Sequence, residues 1–295
     1  MQSAPPTASL KTSASLRAAE EVFVRACVDP QHPAYAKSAR YLTARRLREF
    51  CSHVLSDLAD CNSTRTELLA ALLAAGIVEP VCQDNLPEPV VFWLKVRGGH
   101  RDRHNPLEVL AAAHSDAVIS HHTCLAHHSL TTARPTAWFV STPPSVRFAG
   151  QTLGALEGLK LVTKELSPRL RFGTVKVWTD AAEAVTVFDV ERSLMGALDT
   201  PLLHGGPAAV VEAWDNGAEV VRESVLVDYL RRWNSPILWR RVGAMAERAS
   251  LAGVREACEA ACATMTDIQM TPSALILGAS AMRFDERWKL ELPWS

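Results

Sequence analysis

Residues 61–96, CNSTRTELLAALLAAGIVEPVCQDNLPEPVVFWLKV, constrain this chain more than any other stretch. Thr64 can cap a helix whose Glu67 reaches back to the free backbone N–H, the capping-box arrangement. Leu68, Leu69, Leu72 and Leu73 then recur at helical spacing and give an apolar stripe. Gly76 supplies a left-handed stop. Residues 77–81 and 90–96 are rich in β-branched and aromatic side chains, with a Pro/Asn/Asp-containing loop between them, so they read as two strands. A capped helix followed at once by a β-hairpin is how a winged helix ends. In such a module the helix enters a DNA groove, and the hairpin loop, the wing, lies on the backbone.

The chain of 295 residues has room for about two domains. Residues 1–14, rich in Ser, Ala, Pro and Thr, read as a disordered tail. Residues 16–28 form an amphipathic helix ended by Asp29-Pro30, and residues 34–42 a weaker helical piece. Thr43 caps a helix with Leu47, Phe50, Val54 and Leu55 on one face, which pairs with the Thr64 helix as a helix-turn-helix. This DNA-binding domain spans 15–100. The Gly- and Arg-rich residues 97–104 read as a linker, and a second domain covers 105–295.

The second domain opens with a short helix at 107–114, a strand at 117–119 and a helix capped by Ser120. Strands are expected at 136–141, 145–148, 159–163, 174–179 and 184–188. Helices follow at 190–198, 208–214, 225–233, 237–250 and 254–266, and a last strand at 288–292 is expected to return to the sheet. Strands first and helices afterwards imply an α+β (mixed α/β) domain, a sheet covered by helices.

A net charge of −1 argues against a general polyanion binder. Residues 1–104 carry 13 Lys/Arg against 11 Asp/Glu, so a basic face must come from local clustering. Lys37, Arg40, Arg45, Arg46 and Arg48 precede the helix pair, and Lys95, Arg97, Arg101 and Arg103 follow the last wing strand. Their position on both sides of the recognition helix favours phosphate contacts over a merely solvated face. Seven cysteines without a framework spacing read as reduced thiols of a cytoplasmic protein. No apolar leader and no run of 18 apolar residues is present, so neither export nor membrane insertion is expected.

Few residues suggest chemistry. His121, Cys124 and His128 fall near one face of a helix and make a zinc-type ligand set without a fourth member; histidines meeting backbone carbonyls are the other reading. Cys258 and Cys262 read as core thiols. Glu157, Lys160, Lys164, Glu165 and Asp180 could be arranged as in a metal-dependent nuclease, although most chains of this size offer such a set. Gly205-Gly206-Pro207 is a turn, not a phosphate cradle. Trp214, Tyr229, Trp233, Trp239 and Trp288 read as buried core, with a base-stacking platform as the minority reading. No catalytic residue, metal or cofactor is assigned.

The residues Thr123-Cys124-Leu125-Ala126-His127-His128-Ser129-Leu130 resemble a helix of the form small-Ala-Leu-x-x-His-Gly-Leu. That helix opens the larger domain of the AbiEi-like antitoxins and transcriptional regulators of bacterial type IV (abortive infection) toxin–antitoxin systems. His128 and Leu130 match, while Cys124 and Ser129 replace the small residue and the glycine. Glu191-Arg192-Ser193-Leu194-Met195-Gly196-Ala197-Leu198 resembles the family's Glu-x-x-Leu-x-Asp-x-x helix, with Gly196 where the acid would stand. The resemblance spans residues 41–250. It implies a cytoplasmic antitoxin that represses its own operon and counters a nucleotidyltransferase-type toxin, often without a stable complex.

The sequence therefore points to a non-enzymatic, sequence-specific DNA-binding protein. Ser63, Thr64, Arg65 and Thr66 would lie near base edges and phosphates, Arg45, Arg46 and Arg48 would flank them, and Lys95, Arg97 and Arg101 would touch the backbone. The Thr64 helix is poor in groups for bidentate base readout, so Arg65 carries most of the expected specificity. The alternatives are a nucleic-acid-acting enzyme built on the second domain, and a protein-interaction module that uses the winged helix.

Overall fold

The computed structural model describes residues 7–35, 39–58, 63–81, 91–97, 104–113, 116–144, 152–156, 159–179 and 183–294. The chain divides into two compact units. The first is Met1–Ser115 with Leu153–Glu157 and Trp178–Ala184; the second is Asp116–Thr152, Gly158–Val177 and Val185–Ser295. The fold is α+β, with sheets flanked by helices. Among the described residues no helix is long and apolar enough to cross a membrane.

In the first unit α1 (Thr7–Val28) starts earlier than expected, so residues 7–14 are helical and not part of a tail. Ala8, Leu10, Lys11 and Ala14 are good helix formers. β1 (Tyr41–Thr43) corrects a second expectation. Tyr41 and Leu42, read as the end of a helical piece, pair antiparallel together with Thr43 against β3 (Val91–Leu94), Leu42 opposite Phe92. α2 (Ala44–Ser56) follows at once, capped by Thr43, whose Oγ1 accepts from the Arg46 N–H at 3.2 Å. α3 (Arg65–Ala74) carries the full capping box: the Thr64 N–H donates to Glu67 Oε2 at 2.7 Å and the Glu67 N–H to Thr64 Oγ1 at 3.3 Å.

Of the four leucines in α3 only Leu68 and Leu72 are fully buried, because i and i+4 stack on one face while Leu69 and Leu73 turn about 100° away. Gly76 at φ +65° ends the helix, as anticipated. β2 (Val78–Val81) pairs antiparallel with β3, giving the order β1-β3-β2. The core beneath holds Leu42, Leu47, Val54, Leu68, Leu72 and Leu94, with Phe23 and Phe50 edge to face at 5.0 Å. Helix, strand, helix, helix and hairpin is the order of a winged helix. The wing loop, residues 82–90, lies outside the described residues. α4 (Pro106–Ala113) also belongs to this unit, beyond the linker read from the sequence.

The second unit is built on a mixed sheet. β4 (Val118–Ile119) leads into α5 (His121–His127) and β5 (Ala137–Thr142). β6 (Thr152–Leu156) groups mostly with the first unit and was not expected from the sequence. β7 (Leu159–Glu165), β8 (Thr174–Trp178) and β9 (Ala184–Phe188) complete the strands. Within the second unit the order is β7-β5-β4-β9-β8; β5 and β7 are parallel from Ala137–Lys160 to Thr142–Glu165, and β4 is antiparallel to β5. The strand read at 145–148 lies outside the described residues.

Five helices follow: α6 (Val190–Asp199), α7 (Pro207–Gly217), α8 (Glu223–Trp233), α9 (Pro236–Arg248) and α10 (Ala252–Cys262). They enclose Leu194, Leu198, Trp214, Leu230, Val242 and Trp288. The last strand does not return to the large sheet. β12 (Leu290–Leu292) instead sits between β10 (Ser273–Ala274) and β11 (Arg283–Asp285). α9 pins it there: Gly243 leaves room for the Trp288 ring, and Arg240 donates to the Trp288 and Lys289 carbonyls.

Candidate nucleic-acid interface and a buried cationic cavity

The residues expected at DNA separate into groups. Arg46, Arg65 and Thr66 are exposed, the last two in the first turn of α3. Arg48 and Arg45 are exposed as well, Arg45 donating from Nε to Glu49 at 2.8 Å. Lys95 is exposed and pairs with Glu79 at 2.7 Å. Such solvated pairs are weak and yield readily to a phosphate.

Thr64 keeps its hydroxyl in the cap. Ser63 is buried, and Arg97 turns inward, donating to the Cys27 carbonyl at 3.1 Å with its guanidinium 4.4 Å from the Tyr35 ring centre. Ser63 is thus closed to solvent, while Arg97 is half-buried with one of its nitrogens engaged inward. Arg40, counted in the basic cluster, is buried against Glu108 at 3.4 Å. Burial pushes the Glu108 carboxyl above its ordinary range despite Thr179 and Arg40, which pull it down. Arg101, with Lys37 and Arg103, lies outside the described residues. Of the residues expected at DNA, those exposed among the described residues are therefore in the first turn of α3, on α2, and at Lys95.

The His121–His128 cluster resolves differently from a ligand set. Cys124 Sγ and His128 Nε2 meet one acceptor, the Phe188 carbonyl, at 3.1 and 2.6 Å. Burial pushes the Cys124 thiol up to about 12, so no thiolate is on offer. Among the described residues no group of three His, Cys, Asp or Glu could hold a metal ion. Of the nuclease set, Glu157 and Asp180 lie outside the described residues.

His121 points away from its helix mates, into a cavity of about 160 Å³ shared with Arg192, Gly196, His204, Trp233 and Glu165. It sits at φ +54°, a strained value for a side-chain-bearing residue. Ser120, the N-cap of α5, does not cap: its Oγ accepts from Ser141 Oγ at 2.9 Å and lies 2.8 Å from His121 Nδ1. With the Ser120 proton turned to Nδ1, the His121 ring carries its own proton on Nε2.

His204 has the opposite tautomer. Its Nδ1 faces the Thr200 carbonyl at 2.8 Å and must donate, leaving Nε2 as an acceptor. Burial drives His204 down to about 4, with the positive charge of Arg192 adding to it, and drives His121 well below the usual imidazole range. Arg192 is buried with its guanidinium 3.9 Å from the Trp233 ring and 4.5 Å from the Phe188 ring. Burial lowers even this guanidinium to about 10, while Asp199 and Asp189 favour its charge. Sequence reasoning missed this site because the residues that line it come from segments distant in sequence and no local pattern marks Arg192 as buried. The Gly196 departure was its one visible trace.

No family model and no curated protein matches the chain. Among solved structures it is similar to the Rv2827c protein of Mycobacterium tuberculosis, at 14% identity with a TM-score of 0.57, over 99% of this chain and 93% of that one. At that identity the likeness shows a shared fold.

Proposed function

We propose that this chain is a sequence-specific DNA-binding protein without catalysis of its own. The observation that carries the reading is the winged-helix order of the first unit, in which α3 buries only Leu68 and Leu72 and leaves Arg65 and Thr66 exposed in its first turn. The resemblance to AbiEi-like regulators supports the narrower role, an antitoxin and autorepressor that counters a nucleotidyltransferase-type toxin. Ser129 adds to it, since it holds φ +56° at the position where that family has glycine.

The test is binding to duplex DNA from upstream of the chain's own gene over a range of salt concentrations. Arg65→Ala weakens specific binding by about 1–3 kcal/mol and relaxes sequence preference. Arg46→Ala weakens all duplexes alike and flattens the salt dependence. Binding unchanged by both substitutions contradicts the assignment. Failure to retain any duplex at low salt favours a protein-interaction module, and cleavage of added nucleic acid with divalent ions favours an enzyme.

A further inference from the structure

Three arginines are buried in the second unit, and two are satisfied internally. Arg240 donates to the carbonyls of Trp288 at 2.8 Å, Gln269 at 2.9 Å and Lys289. Arg241 donates to those of Ala274 at 3.1 Å and Leu198 at 2.8 Å. Arg192 is the exception. Among the described residues its guanidinium makes no hydrogen bond and no ion pair, and its Nε is buried without a partner. Asp189 is engaged elsewhere, accepting from the Arg192 backbone N–H, Tyr229 Oη and Arg222. A cation removed from water and left without an acceptor is costly, and proteins keep one where a ligand completes the shell.

The cavity beside it is shaped for such a ligand. A Cβ on Gly196 would stand 3.3 Å from Arg192 Nη1 and 3.2 Å from His204 Nε2, so both nitrogens converge on the space that glycine leaves open. The polar groups are mixed: Arg192 donates, His204 Nε2 accepts, and the His121 ring lines the same cavity. Two carboxylates, Glu165 and Asp199, line the cavity with exposed side chains, where it meets solvent. Donors beside acceptors suit an anion that carries a hydroxyl.

We propose that this cavity binds a small hydroxyl-bearing oxyanion, with hydrogenphosphate as its simplest member. The oxyanion oxygens take the Arg192 Nη and His121 Nε2 protons, and the P–OH donates to His204 Nε2 or to a rim carboxylate. Sulfate has the same shape but no hydroxyl, so it leaves His204 unmatched. All the lining residues belong to the second unit, so occupancy of the cavity is read independently of DNA binding.

The test is calorimetric titration of the full chain with inorganic phosphate and with sulfate, near neutral pH and at constant ionic strength, alongside thermal unfolding. Wild type is expected to bind phosphate saturably with a rise in Tm, and to bind sulfate at least roughly tenfold more weakly. Gly196→Ala fills the space without removing a polar group and lies on a helix, where alanine is favourable; it weakens phosphate by roughly tenfold or more. Arg192→Gln abolishes binding. Absence of saturable phosphate binding by wild type, or undiminished binding by either variant, overturns the proposal. Sulfate binding as tight as phosphate overturns the role given to His204.

Discussion

Each unit buries an arginine that the sequence presents as a surface charge, and the two are accommodated in opposite ways. Arg40 is 7% exposed and faces Glu108 at 3.4 Å; Arg192 is 5% exposed and faces aromatic rings and a cavity. The first has a carboxylate in contact. The second has ring faces in contact and only the more distant charges of Asp199 and Asp189, which is weaker than a carboxylate in contact. Burial by itself therefore does not separate a structural cation from a functional one; the acceptors around it do.

That contrast has a large thermodynamic signature. Glu108→Ala takes the carboxylate in contact away from the buried Arg40, and should lower the unfolding free energy by about 3–5 kcal/mol. Arg192→Met removes a charge that has no partner in contact, and should change stability by less than about 1 kcal/mol or raise it, as at other sites where function holds a destabilising group. Urea unfolding of both variants checks the pair. Equal losses would place Arg192 among the structural arginines with Arg240 and Arg241.

The pH dependence of stability sharpens the same point. The folded pKa of His204, about 4, lies below its ordinary value of 6.5, so the unfolded chain takes up this proton first as pH falls. The contribution is complete above about pH 6.5 and is lost as pH falls through about 4, on the order of 3 kcal/mol in all. His121 shifts in the same direction. Urea midpoints should therefore fall steadily over that window, and His204→Gln should flatten the slope. A wild-type profile that is flat between pH 7 and 4 would mean that His204 is not held neutral beside Arg192.

A smaller effect acts as a control. Ser129, just past α5, holds φ +56°, which glycine adopts without strain. Ser129→Gly is expected to stabilise the fold by about 1 kcal/mol or less while leaving phosphate affinity unchanged, since Ser129 does not line the cavity. A loss of phosphate binding in this variant would show that the site is sensitive to any change in α5.

How far the sequence disclosed the molecule follows from the range of the forces involved. The caps at Thr43 and Thr64, the stop at Gly76 and the helices of the carboxyl-terminal half are local signals, and they stand where the residues put them. β1 was hidden because its pairing partner lies 50 positions on: Leu42 pairs with Phe92 and needs no local pattern. The inward partners of Arg40 and Arg97, Glu108 and the Cys27 carbonyl, are likewise distant in sequence and left no local sign. The cavity was the least legible feature. It gathers residues from β5, α5, α6 and the turn at His204, and only Gly196 broke a pattern. His121 was singled out only together with Cys124 and His128, and those two helix-mates face a backbone carbonyl instead.

The most direct test of the division between a DNA-binding surface and a second unit with a separate small-ligand site is hydrogen exchange by mass spectrometry on the full chain. It would be run with upstream duplex DNA and, separately, with inorganic phosphate. Duplex should slow exchange in the first turn of α3, around Arg65 and Thr66, and phosphate should slow it in α5 and α6. Unchanged exchange in α3 under saturating duplex would contradict the account.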